Sequence, residues 1–65
     1  MVSYDKLWKI LIDKKMNRTE LKKAANISFN VIAKLGKNEF VSMESIYKIC
    51  DTLDCDVGEV MEFIK

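Results

Sequence analysis

A chain of 65 residues with 49% hydrophobic and 32% charged side chains can fill one core and is too apolar to stay disordered. At this size about 60% of the unfolded surface is buried on folding, so one small domain over residues 1–65 is expected and a second is excluded. The net charge of +1 hides a division, because residues 1–41 hold nine Lys or Arg against four Asp or Glu while residues 42–65 hold two against six.

With no proline and only two glycines, helix ends must come from capping residues and from Asn or Asp. Five helix starts are predicted in chain order: Ser3 between Val2 and Leu7, Asn17 between Met16 and Leu21, Ser28 between Ile27 and Ile32, Ser42 between Val41 and Ile46, and Asp56 between Cys55 and Val60. In each, a cap sits between the N′ and N4 residues of a hydrophobic staple. Glu20 adds the N3 member of a capping box to the second start, and Asn26 suits the left-handed C′ position at its end. Apolar residues then recur with the helical period: Tyr4, Leu7, Trp8 and Leu11; Leu21, Ala24 and Ala25; Ile32 and Leu35; Ile46, Ile49, Cys50 and Leu53; Val57, Val60, Met61 and Ile64. The expected fold is all-α, a compact bundle of five short helices with no strand. Ile12, Tyr47 and Phe63 fall off these stripes and belong either to a wide core or to a dimer surface.

Residues Met16 to Leu35 thus spell two short helices joined by a turn of about three residues, the layout of a helix-turn-helix. A polyanion would be drawn to the basic first part and repelled by the acidic last part, although solvated surface charge segregates in the same way in small domains.

Other classes find little support. No run of about 18 apolar residues could span a membrane, and Met-Val-Ser-Tyr-Asp-Lys lacks the basic-then-apolar order of a signal peptide. A cytoplasmic protein without a membrane partner is expected. Cys50 and Cys55, in a chain with no histidine, cannot assemble the usual four Cys/His ligands of structural zinc. They read as two small buried apolar residues in a reducing compartment, a disulfide being the alternative. Neither metal nor cofactor nor small-molecule ligand is implied. An enzyme is not expected either, since there is no histidine, no Gly-rich phosphate loop and no activated thiol.

The arrangement resembles the Cro/phage-repressor (Xre-like) helix-turn-helix family, in particular its minimal single-domain members. Met-Asn-Arg-Thr-Glu-Leu is similar to the start of the family's second helix, Asn-Ile-Ser to its turn and Val-Ile-Ala-Lys-Leu to the body of its recognition helix. The run from Ser42 to Asp56 is similar to the fourth helix and the loop into the fifth. Three departures stand out: Asn26 replaces the usual glycine of the turn, Lys22 a commonly buried alanine, and Gly36 lies where the recognition helix should end. The resemblance implies a lambda-repressor-like domain that binds double-stranded DNA as a transcriptional regulator, expected to repress, and acts as a homodimer.

A recognition helix buries one face and offers the other to base edges in the major groove. With Ile27, Val31, Ile32 and Leu35 inward, Phe29, Asn30, Ala33 and Lys34 are the base-reading candidates: Asn30 for adenine, Lys34 for guanine, Phe29 or Ala33 for a thymine methyl. Phe29 has the competing role of folding over the local core. Arg18, Thr19, Ser28 and Lys37 are placed for phosphate contacts, with Lys14, Lys15, Lys22 and Lys23 adding longer-range attraction. One domain covers one half-site, so dimerisation is expected, first through a C-terminal helix bearing Met61, Phe63 and Ile64. The alternative is a protein-interaction module of anti-repressor or toxin-binding type on the same scaffold, suggested by the modest net charge and by Phe29, Tyr47 and Phe63.

Overall fold

The computed structural model describes residues 1–65. Five helices, α1 (Asp5–Asp13), α2 (Arg18–Ala25), α3 (Phe29–Gly36), α4 (Met43–Leu53) and α5 (Val57–Val60), are bracketed by two short strands, β1 (Val2–Ser3) and β2 (Glu62–Phe63). Four of the five expected caps act as such. Asn17 and Glu20 form a reciprocal capping box, with Asn17 Oδ1 2.7 Å from the Glu20 N–H and Glu20 Oε1 2.9 Å from the Asn17 N–H. The Ser28 and Ser42 hydroxyls accept from the N–H groups of Val31 and Ser45, at 3.3 and 3.1 Å. Asp56 caps by a shorter reach, to Val57 at 2.8 Å.

The helix ends follow one rule. Lys15, Asn26, Asn38 and Asp54 all have φ near 55°, and the residue after each donates its N–H five positions back. Met16 donates to Leu11, Ile27 to Lys22, Glu39 to Lys34 and Cys55 to Cys50, at 2.9, 3.1, 2.9 and 3.0 Å. These are Schellman ends, which normally place glycine in the left-handed position; here neither glycine has a positive φ.

Two expectations are corrected. Ser3 is not the N-cap of the first helix; Tyr4 holds that position without a side-chain bond, while Ser3 lies buried in β1 and its hydroxyl accepts the Asp5 N–H at 3.3 Å. The last helix stops at Val60 instead of running through Ile64, and Met61 is already extended. Gly58 weakens this four-residue helix by about 1 kcal/mol, and the segment beyond it finds backbone partners instead. Val2 pairs with Phe63 and Ser3 with Glu62 in antiparallel register, while the Ile64 N–H donates to the Met1 carbonyl at 2.8 Å. Strand alternation cannot reveal a ladder of two residues, because its period needs several residues to show.

The core is one cluster of thirteen residues, among them Val2, Tyr4, Leu7, Leu21, Leu35, Ile49 and Val60. Each large side chain buried there contributes roughly 1.5–3 kcal/mol before conformational entropy is counted. Helix α1 packs on α5, α2 on both α3 and α4, and α4 on α5. Of the predicted stripe residues, Ala24, Val57 and Ile64 are exposed. Ile12, Tyr47 and Phe63 are 74%, 69% and 68% exposed, so none of them widens the core. No helix is long and apolar enough to cross a membrane.

Candidate nucleic-acid interface

Helices α2 and α3 are joined by Asn26, Ile27 and Ser28, the three-residue turn expected of a helix-turn-helix. Asn26 takes the left-handed conformation (φ 56°, ψ 49°) without needing glycine, because its short polar side chain tolerates that region. Ile27 turns back into the core and so fixes how α3 leaves the turn. In α3, Leu35 is fully buried while Val31 and Ile32 are half-buried against the core. The opposite side carries Phe29, Asn30, Ala33 and Lys34, all exposed.

Phe29 does not fold over the core. It is 66% exposed, and the Lys22 ammonium sits 4.5 Å from its ring centroid. This accounts for lysine where a buried alanine is usual: the aliphatic stem is half-buried and the charge emerges over an aromatic face.

Arg18, Thr19, Ser28 and Lys37 are also exposed. Because Asn17 and Ser28 each satisfy only one donor, the N–H groups of Arg18 and Thr19 at the start of α2, and of Phe29 and Asn30 at the start of α3, have no partner within the chain. Two eight-residue helices therefore present free donors and the positive ends of their dipoles beside basic side chains. Lys37 caps the end of α3, and the loop after it is tied down by Tyr4. The Tyr4 hydroxyl donates to the Glu39 carbonyl at 2.8 Å and its N–H to Asn38 Oδ1 at 3.3 Å. Burial raises the Tyr4 pKa, with the Val41 backbone pulling the other way.

Three residues that support this surface have roles that sequence alone does not reveal. The Arg18 guanidinium carbon lies 4.0 Å from the centre of the Trp8 ring, and a Cβ built on Gly36 would meet Arg18 Nη1 at 2.9 Å. Trp8 is ten residues before Arg18 and Gly36 is eighteen after it, so no helical spacing links them. From sequence Tyr4 is a core residue of the first helical stripe, and its two bonds to the loop after α3 join residues more than thirty positions apart. The cysteines lie elsewhere, as the C3 and C″ residues at the end of α4. Cys50 is buried and its thiol is pushed up to about 11 by burial, then by Cys55, Asp56 and Glu59.

The geometry is that of a DNA-reading helix-turn-helix, and sequence comparison gives the same answer: residues 6–65 match the Cro/C1-type HTH DNA-binding domain. The chain belongs to that family. Among solved structures it is similar to the crystal structure of the transcriptional regulator VanUg, at 51% sequence identity and a TM-score of 0.90, covering 94% of this chain and 81% of that one. A comparison with curated proteins gives no significant match.

Proposed function

We propose that the chain is a cytoplasmic transcriptional repressor that reads the major groove with α3 and occupies its operator as a homodimer. The observation that carries this reading is the division of α3 itself, with Leu35 in the core and Phe29, Asn30, Ala33 and Lys34 exposed beside free N–H donors. Asn30 contacts adenine, Lys34 guanine, and Phe29 or Ala33 a thymine methyl. Arg18, Thr19, Ser28 and Lys37 hold phosphates, which sets register without reading sequence.

Two copies are proposed because one such domain covers one half-site, which seldom gives nanomolar specific affinity by itself; a two-fold dimer would place its recognition helices on half-sites about 34 Å apart. The apolar surface available for pairing runs from Met43 and Tyr47 across Val57 to Met61 and Phe63, which line two adjoining depressions. It differs from the expected C-terminal helix, since Met61 to Ile64 are extended.

The test is a titration of isotope-labelled protein with a random-sequence duplex, followed by NMR at low and then physiological salt. Amide shifts at Arg18, at Ser28 to Lys34 and at Lys37 that weaken steeply with salt are expected. Charge reversal at Arg18 and Lys34 that leaves affinity unchanged in a folded protein would sink the reading. Shifts confined to Val57–Ile64 would instead favour the protein-interaction alternative, for which exposed Tyr47 and Phe63 supply the surface.

A further inference from the structure

Arg18 is stacked but otherwise uncommitted. Its guanidinium stands over the Trp8 ring at 4.0 Å, and its Nη1 occupies the space that a side chain on Gly36 would need. Yet Arg18 takes part in no ion pair and no side-chain hydrogen bond. The aromatic face instead engages the flat, weakly hydrated side of the guanidinium and leaves its N–H groups in water.

We propose that Trp8 and Gly36 are positioning residues for DNA binding, holding Arg18 so that its free N–H groups meet a backbone phosphate with little ordering left to do. The proposal rests on the reading of Arg18 as a phosphate contact. Trp8 provides the surface, and Gly36, as the last residue of α3, provides the gap through which α2's first side chain reaches across to the recognition helix. A long arginine loses considerable rotamer freedom on being fixed; stacking it in the free protein transfers that loss from binding to folding, which raises affinity. The gap also explains a glycine inside a helix, where the backbone does not require one because its φ is not positive.

The experiment is a double-mutant cycle on Arg18→Ala, Gly36→Ala, Trp8→Leu and Trp8→Phe. Affinity for a fluorescein-labelled random duplex of about thirty base pairs is read by anisotropy across a salt series, with circular dichroism confirming the fold. Arg18→Ala should weaken binding about tenfold and reduce the slope of log affinity against log salt by about 0.9 per protomer. Gly36→Ala and Trp8→Leu should each weaken binding by about two- to five-fold, the range of an exposed cation–π contact. Their salt slope should stay that of the wild type, because the arginine still neutralises a phosphate once bound. Trp8→Phe should stay near wild type.

Gly36→Ala is the sharpest arm, since alanine favours the helix while displacing the guanidinium; stability should hold or rise as affinity falls. In an Arg18→Ala background, Gly36→Ala and Trp8→Leu should have no further effect. Wild-type affinity of Gly36→Ala and Trp8→Leu, or effects that persist undiminished without Arg18, would overturn the positioning role while leaving the phosphate contact intact. An unaltered affinity for Arg18→Ala itself would remove the contact, and the proposal with it. If Trp8→Leu does not fold, Gly36→Ala decides.

Discussion

Replacing Lys15 by glycine should stabilise the protein. Lys15 is the left-handed residue at the end of α1, with φ 55°, and its own N–H donates to Ile12 at 3.1 Å while the N–H of Met16 donates to Leu11 at 2.9 Å. Glycine can keep both bonds. A non-glycine residue in this conformation costs roughly 1–2 kcal/mol, whereas glycine adds roughly 0.4–1 kcal/mol of backbone freedom to the unfolded chain. The balance favours Lys15→Gly by about 0.5–1 kcal/mol, or roughly 2–8 °C in Tm for a domain of this size. Lys15→Ala is the control, removing the charge while keeping the strain, and should bring no gain. Asn38→Gly should bring no such gain. Asn38 has the same φ of 56°, but its Oδ1 accepts the Tyr4 N–H at 3.3 Å, and that loss of about 1 kcal/mol offsets the backbone relief. Guanidinium unfolding of the three variants, followed by circular dichroism, gives the comparison. A Lys15→Gly protein no more stable than Lys15→Ala would refute the assignment of strain to this residue.

Three further outcomes are expected. Asn17→Ala, which removes half of the capping box, should lower stability by about 1 kcal/mol, measured by the same denaturation; an unchanged midpoint would mean that α2 does not depend on its cap. Gly58→Ala should raise stability by about 0.5–1 kcal/mol, because its Cβ would meet nothing within 4 Å and alanine favours the helix. The Cys50 thiol, at about 11 in the fold against 9.0 ordinarily, keeps its proton where the unfolded chain has lost it. Its contribution to stability is therefore complete below pH 9 and declines as pH rises towards 11. Midpoints at pH 8 and 10.5 should fall further apart in the wild type than in Cys50→Ala.

The helix-turn-helix was legible in the sequence because its determinants are local. Asn17 and Glu20 lie three residues apart, Ser28 and Val31 likewise, and Asn26 carries its own tolerance for a left-handed turn. The exposed side of α3 was legible for the same reason, since Leu35 fixes which side goes inward. What escaped depends on residues distant in the chain. The pairing of Val2 with Phe63 joins the two ends, and nothing in Glu-Phe-Ile-Lys announces that a strand partner lies some sixty residues earlier. Ser3 has the composition of a cap and its hydroxyl does accept the Asp5 N–H at 3.3 Å, but it stands in β1, one residue before the N-cap Tyr4. Tyr4 fitted a helical stripe, and only the fold brings its hydroxyl to Glu39. Lys15 has no sequence signature of a helix end, because lysine is seldom left-handed.

The charge division acquires a physical meaning once the ion pairs are counted. Only Lys6 and Lys48 are paired, with Glu62 and Glu44. Of the nine cations in residues 1–41, eight are left without a carboxylate partner. Two of these eight are nevertheless held in place, Arg18 over Trp8 and Lys22 over Phe29. A carboxylate would position a cation equally well but would cancel its field, and a phosphate would then have to compete with it. An aromatic ring carries a quadrupole and no net charge, so it orders the cation while leaving the attraction for a polyanion intact. Six of the ten acidic residues lie in residues 42–65, and of the four in residues 1–41 Glu20 is engaged at a helix cap while Asp5, Asp13 and Glu39 form no ion pair. A protein of net charge +1 can therefore approach DNA in a preferred orientation, with its basic helix pair leading.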